Sequence, residues 1–450
     1  MWVCGSSSWL QVTLWRHTQA HRCKNRCAHH TPHTGELHWR DVDILLAHSD
    51  DVAAQTPAVR TAVSADGKML HSLLPPPVVQ GLTARDVAEL LLKIKFNAHP
   101  IMDSVGASRV GLGLYPAAAL VNHACAFNAV LSFAPGGAAL SVRAARSLRE
   151  GEAVCYAYID PLQPRRARRK QLRDAYFFDC ACVQCSWVSA GGTIGAGADA
   201  SMCAMICGVA LGKDRGGRCE GMILLPDDRL GVSIETDPMR EDQVREVVCR
   251  ACGAAHKVHE LEKCERAAEE ILEHCAAALQ RDATQGRASL LHFVEQTPEA
   301  ARLHPSHHLL HKAYVSLGLA CHTVGAIRER PVHLRRSLDA LLAWRRSHVP
   351  SSGADGTTSP EIAQLFFQLG MALFARLRAE AGSKGGATVA EIDALLSRAH
   401  ADLCICFGPD SLAAKRAAAA RTKVQQACAA LPVPDGSGGG AATASLEELD

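Results

Sequence analysis

At 450 residues the chain exceeds one ordinary hydrophobic core, and a rate of about one domain per 100 to 200 residues predicts two to four domains. A formal net charge of +2 with 21% charged residues excludes a global basic field that would draw the chain to nucleic acid or anionic lipid. The chain has 19 cysteines, its opening "MWVCGSSSWLQVTLWRH" lacks the layout of a secretory leader, and no run of about 18 apolar residues follows; together these predict a reducing intracellular setting, with clustered thiols serving metals rather than disulfides.

Residues 1–40 are rich in His, Cys, Trp and Arg, show no helical or strand period, and receive no fold. From "ELHWRDVDILLAHSDDVAAQ" to "LTARDVAELLLKIKFNAHPI" apolar residues recur at spacings of three and four, with Pro75, Pro76 and Pro77 between, which predicts two or three helices up to Ile101. The texture then changes to short apolar runs, "RVGLGLYP", "AVLSFAPGGAALSVRAARSL" and "EAVCYAYI", separated by glycine turns: strands of a compact β region. "QPRRARRKQLRDAYFF" reads as a helix whose basic run is a solvated face. "SAGGTIGAGADA" is a linker by composition, and the cysteine-bearing stretch around "GMILLPDDRLGVSIE" is a small β-rich module. From Glu260 onward each segment carries an amphipathic helical stripe, as helix pairs stacked like tetratricopeptide units would, and the glycine-rich tail is expected to be disordered.

Cys180, Cys182 and Cys185 stand within six residues in "AYFFDCACVQC". A redox Cys-x-x-Cys would open a helix whose dipole lowers the thiol pKa, whereas "CVQCSWVSAGG" runs into glycines. Zinc takes four thiolate or imidazole ligands in a tetrahedron, so the trio predicts one zinc site that needs a distant fourth ligand. Cys125, at the end of a short apolar segment, and Cys155, inside a strand pattern that favours core burial, are the candidates, and spacing alone does not choose between them. Cys207, Cys219, Cys249 and Cys252 have the outline of a zinc ribbon, with Gly253 permitting the turn of the Cys-x-x-Cys knuckle and Cys203 as a competing ligand.

In that order, "VGLGLYPAAALVNHACAFNAVLSF", "LREGEAVCYAYIDPL" and "RRKQLRDAYFFDCACVQC" resemble the SET and MYND domain (SMYD) family of lysine methyltransferases, most specifically from Phe96 to Cys185. "CFGPDSL" is a weaker echo of a helix-ending segment of that family. The resemblance implies an α+β, multidomain chain: residues 41–101 a helical SET-I-like region, 102–175 the C-terminal half of the SET fold, 176–188 a post-SET zinc loop, 189–258 a linker and zinc-ribbon-like module, 259–430 an all-α tetratricopeptide-like domain, and 431–450 a tail. It implies Tyr158 as the active-site tyrosine and Cys125 as the fourth ligand of the post-SET zinc. Asn122, His123, Tyr176, Phe178 and Asn97 would meet S-adenosylmethionine or wall its site.

The implied function is an S-adenosylmethionine-dependent protein-lysine N-methyltransferase acting on a histone or non-histone lysine, in the cytoplasm or nucleus, with no membrane or direct nucleic-acid partner. A peptide partner on the helical half is expected too. The sequence departs from the family at Ala126 and Phe127, where an acidic residue and a proline usually follow the cysteine. The glycine-rich first SET strands and a MYND cysteine pattern are not found, Cys23 and Cys27 being spaced wrongly for it. A non-catalytic, zinc-stabilised SET-like interaction scaffold is the alternative.

Overall fold

The computed structural model describes residues 42–55, 57–102, 109–133, 139–186, 200–211, 217–225, 246–348, 358–380 and 389–429. The segment 1–40, most of the 189–200 linker and the 431–450 tail therefore lie outside the described residues.

Helices α1 (Ser49–Ala53), α2 (Pro57–Leu73), α3 (Pro76–Val79) and α4 (Ala84–Asn97) come first. The prolines divide α2 from α3, with Pro76 at a first-turn position where its missing N–H costs no helical bond. Thr83 and Asp86 form a reciprocal capping box that starts α4, and Val87, Ala88 and Leu92 face inward. The helical pattern expected to reach Ile101 ends at Asn97. Pro100 biases His99 toward extended backbone, and Ala98–Met102 becomes strand β1, antiparallel to β2 (Arg109–Leu114).

After α5 (Pro116–Ala119) the β region contains β3 (Asn122–His123), β4 (Ala129–Phe133), β5 (Leu140–Ala144) and β6 (Cys155–Tyr156). β4 and β5 are an antiparallel pair over a small core of Tyr115, Ala118, Ala129, Leu140 and Val142. β3 and β6 pair in parallel, Asn122 opposite Cys155 and His123 opposite Tyr156. Ala124 N–H donates to Tyr156 O (3.2 Å) and Asn128 N–H to Cys155 O (3.1 Å), so the loop after β3 is threaded against the strand that leads to Tyr158. Helix α6 (Arg165–Tyr176) and the single turn α7 (Val183–Ser186) follow.

Two small antiparallel hairpins come next, β7 (Ala204–Ile206) with β8 (Met222–Leu224) and β9 (Glu246–Val248) with β10 (Ala255–Lys257). The remainder of the described chain is helical: α8 (Val258–Arg281), α9 (Ala283–Gln296), α10 (Pro298–Ala301), α11 (His308–Thr323), α12 (Arg330–His348), α13 (Pro360–Ala379), α14 (Val389–Phe407) and α15 (Leu412–Ala429). One core joins α8, α9 and α11 to the hairpins, and a second is built on α12, α13 and α14 around Trp344. The helices also grip the β region. Arg143 of β5 donates to Ile405 O (3.0 Å) near the end of α14, and Cys406 packs with Phe127, Val130 and Ala145. Among the described residues no helix is long and apolar enough to cross a membrane.

Candidate active site and cysteine cages

Helix α6 ends at Tyr176, where Phe177 takes the left-handed conformation (φ 58°) and turns the chain back. That reversal carries Cys180, Cys182 and Cys185 onto the loop after β3. Ligand atoms of Cys125, Cys180, Cys182 and Cys185 all lie within 4.8 Å of one another, with Cys125 Sγ 3.5 Å from Cys185 Sγ and 4.0 Å from Cys180 Sγ. Tetrahedral zinc with bonds of about 2.3 Å sets sulfurs roughly 3.8 Å apart, so the donor set fits that ion in kind and spacing. Of the two candidates for the fourth position, Cys125 is buried in the cage, whereas Cys155 lies in β6 outside the four.

Hydrogen bonding with Cys125 lowers the Cys180 and Cys182 thiols, and the neighbouring thiols, Cys180 first, push the Cys125 thiol up.

Arg168 corrects the expectation of a wholly solvated basic face. It is 0% exposed, donates to Gln163 O (2.5 Å) and reaches 3.6 Å from Cys185 Sγ, placing a cation against a site that gathers negative sulfur. Lys170 and Arg173 on the same helix are solvated as expected.

Beside the cage stands an aromatic wall. Tyr158 lies 5.2 Å from Tyr176, 5.3 Å from His123 and 6.5 Å from Phe178, ring centre to ring centre. Its N–H donates to His123 Nδ1 (3.0 Å) and its hydroxyl to Val121 O (2.6 Å), while burial, with Tyr176 nearby, pushes the phenol up to about 12. Asn122, next to this wall, is exposed. His123 is engaged through both ring nitrogens, Nε2 lying 3.2 Å from Cys125 Sγ. Asn97 stands apart from these groups in hydrogen bonding: its side-chain amide donates to Leu46 O and Lys93 O, both at 2.8 Å.

The departure at Ala126 and Phe127 leaves a tied loop. Asn128 donates to Glu152 Oε1 (3.1 Å) and Ala153 O (2.8 Å) and accepts from Cys155 N–H (2.8 Å). Glu152 is held at about 2, chiefly by its hydrogen bond from Arg146. Phe127 turns its ring toward the helical half and is 8% exposed.

The second group also closes. Ligand atoms of Cys207, Cys219, Cys249 and Cys252 lie within 4.8 Å of one another, with Cys207 to Cys252 at 3.6 Å and Cys219 to Cys249 at 3.8 Å. Cys207 follows β7 and Cys219 precedes β8, inside the first hairpin, and Cys249 and Cys252 form the knuckle between β9 and β10. Gly253 turns that knuckle at φ 76°, a left-handed conformation that strains any side chain, and a Cβ on Gly221 would sit 2.5 Å from Cys249 Sγ, so a side chain there would displace the cage. Cys203 lies outside the group, packed against the helical core.

Two polar constellations were not found from the sequence. His99 Nε2 and the Tyr156 hydroxyl, both buried, are 2.7 Å apart, and Tyr156 lies 5.0 Å from Tyr158. Glu265 meets His308 Nε2 at 3.5 Å, His307 Nε2 at 3.7 Å and Arg166 at 2.6 Å, all at the seam between α6 and the helical half. His307 Nδ1 accepts from Leu309 N–H (3.2 Å), which leaves the ring proton on Nε2. That nitrogen has no lone pair for a metal, so the group is a carboxylate hydrogen-bonded by Arg166 and His308, with His307 Nε2 beyond hydrogen-bonding distance at 3.7 Å. The spaced histidines of "HPSHHLLH" were its only sequence signal.

No family model matches the chain. Curated relatives do. It is 39% identical over 100 residues to the mouse "Histone-lysine N-methyltransferase SMYD3", covering 22% of this chain and 23% of that protein. It is 36% identical over 97 residues to the human "N-lysine methyltransferase SMYD2", 22% of each. It is 30% identical over 145 residues to the Arabidopsis thaliana "Histone-lysine N-methyltransferase ASHR1", 32% of this chain and 28% of that protein. The match thus spans about a quarter of the length of these relatives. Over that shared part, the chain is SMYD-like: it is similar to the SMYD lysine methyltransferases.

Proposed function

We propose that the chain is an S-adenosylmethionine-dependent protein-lysine N-methyltransferase of SMYD type, with structural zinc in both tetracysteine cages. The observation that carries this reading is the packing of Tyr158 against Tyr176 and Phe178 directly beside the Cys125 cage. The same wall supplies the fit for the cofactor, because electron-rich ring faces attract a sulfonium cation. Asn122, His123, Tyr176 and Phe178 are the residues proposed to hold it, while Asn97 contributes by tying the end of α4 to residue 46. When bound, S-adenosylmethionine supplies a methyl group on a positively charged sulfur.

The residues of this chain then have distinct work. A substrate lysine arrives as an ammonium with a pKa of about 10.4, and an apolar aromatic channel disfavours that charged form. The Tyr158 hydroxyl hydrogen is committed to Val121 O, so its oxygen faces the channel as an acceptor and orients the amine through an N–H bond. Once the ammonium had given its proton to solvent, the neutral amine held at Tyr158 would be the acceptor of the methyl group that bound S-adenosylmethionine would supply. Tyr176 and Phe178 exclude water from this approach and stabilise the cation along it.

The zinc cage fixes the loop that bears those rings, and the ribbon-like cage does the same for the join to the helical half. We read α8–α15 as tetratricopeptide-like and as the surface that takes a peptide partner, with the protein-lysine substrate drawn from the cytoplasm or nucleus. Titration calorimetry of the full chain with S-adenosylmethionine tests the reading. Binding that weakens in Asn122→Ala upholds it. Absence of binding with both cages filled removes it in favour of a non-catalytic scaffold.

A further inference from the structure

His123 joins the cage to the aromatic wall through one ring. Its Nδ1 accepts the backbone N–H of Tyr158 at 3.0 Å, so that nitrogen carries the lone pair. In a neutral imidazole the proton then resides on Nε2, which lies 3.2 Å from Cys125 Sγ in N–H···S geometry. The two bonds are mutually consistent. The other tautomer would set a proton against the Tyr158 N–H and a lone pair against sulfur. The ring is further held by Tyr158 at 5.3 Å and Phe178 at 6.0 Å, and its backbone lies in β3 opposite Tyr156. Both ring nitrogens are engaged within the chain, which leaves the backbone and ring face of His123 for the proposed cofactor.

We infer that His123 is a positioning residue that couples metal occupancy of the Cys125 cage to the placement of Tyr158. A metal-bound thiolate is a fixed, electron-rich acceptor for Nε2–H, and the orientation it imposes on the ring aims Nδ1 at the Tyr158 N–H, as imidazole orientation is set in other metal sites by the partner of its second nitrogen. Removing the metal frees Cys125 to move and loosens the Tyr158 N–H bond, although Tyr158 is no ligand. The inference rests on the metal reading of the cage, and it adds that this metal governs the reactive tyrosine through one imidazole as well as by folding the loop.

The test uses the full chain loaded with cadmium-113 and labelled with nitrogen-15 in histidine or, separately, in its 5 tyrosines. The expected result is a protonated Nε2 on His123 with scalar coupling to cadmium, and a Tyr158 amide whose hydrogen exchange accelerates when a chelator strips the metal. In His123→Phe, cadmium stoichiometry is retained, the coupling disappears, and Tyr158 amide exchange rises about tenfold, the worth of one net hydrogen bond. His123→Asn places an acceptor where Nδ1 stood and no donor toward sulfur, so it restores Tyr158 protection but makes it insensitive to the chelator.

An unprotonated Nε2, or Tyr158 protection unchanged in His123→Phe, would overturn the coupling. Failure of cadmium to enter the cage is seen separately in the stoichiometry and would overturn the metal reading beneath it. No readout requires S-adenosylmethionine, so failure of the methyltransferase reading is distinguishable from failure of this one.

Discussion

The guanidinium of Arg345, in the helical half, lies over the ring of Phe127, 4.5 Å from its centre, on the loop that also bears Cys125. Arg345 is buried and also donates to Thr358 O (3.4 Å), and burial lowers it to about 10. Phe127→Ala removes both the ring's packing and one partner of a buried cation. We expect a loss of about 3 to 5 kcal/mol in urea unfolding, and about 1 kcal/mol or less for Phe127→Tyr. A loss below about 1 kcal/mol for the alanine variant would mean the helical half does not brace this loop.

Metal content separates the cysteines. Among the described residues each tetracysteine group should carry one equivalent of zinc, by elemental analysis after exhaustive dialysis. Cys125→Ser and Cys249→Ser should each lose one, and Cys155→Ser and Cys203→Ser none. Zinc lost on Cys155→Ser would return the fourth ligand to the alternative that the fold sets aside.

His99 and Tyr156 form a pair that a double-mutant cycle resolves. His99→Phe strands a buried hydroxyl, for an expected cost of about 1 to 3 kcal/mol, and adding Tyr156→Phe should recover most of it. Strictly additive losses would show that the 2.7 Å contact carries no coupling.

Acid should weaken the helical half before it unfolds. Burial lowers His307 to about 3 and His311 to about 4, below their value of 6.5 in an unfolded chain. The unfolded state therefore binds more protons in this window, so stability is fully present above pH 6.5 and falls as the pH drops toward 4, by about 1.4 kcal/mol per unit for each ring. Glu265 is held at about 2: burial raises it, but the His308 hydrogen bond and Arg166 outweigh that, and its contribution is lost lower, between about 4.5 and 2. A Tm that stays flat between pH 7 and 4.5, or a slope unchanged in His311→Phe, would contradict these assignments.

Local chemistry was the legible part of this chain. Cys180, Cys182 and Cys185 announce a metal loop because their spacing can be read within six residues, and the Cys249–Cys252 knuckle is marked by Gly253. Spacing leaves Cys125 and Cys155 open and only the family resemblance implies Cys125; in the fold the loop after β3, threaded against β6, brings Cys125 to the trio. The helix that stops at Asn97 was obscured because the apolar spacing runs on through Ile101, while Pro100 dictates strand. Arg168 reads as one cation among many until the cage forms beside it. His99 with Tyr156 and Glu265 with His308 are pairs separated by 57 and 43 residues, and only the fold brings them together.

The most direct measurement incubates the zinc-loaded full chain with S-adenosylmethionine labelled on the methyl group and a cell extract depleted of small molecules, then hydrolyses the protein and separates the amino acids. We expect label in ε-N-methyl-lysine, reduced at least about a hundredfold by Tyr158→Phe with zinc content unchanged. Label absent from methyl-lysine in the wild-type chain, with both cages filled, would contradict the assignment of this chain as a lysine methyltransferase.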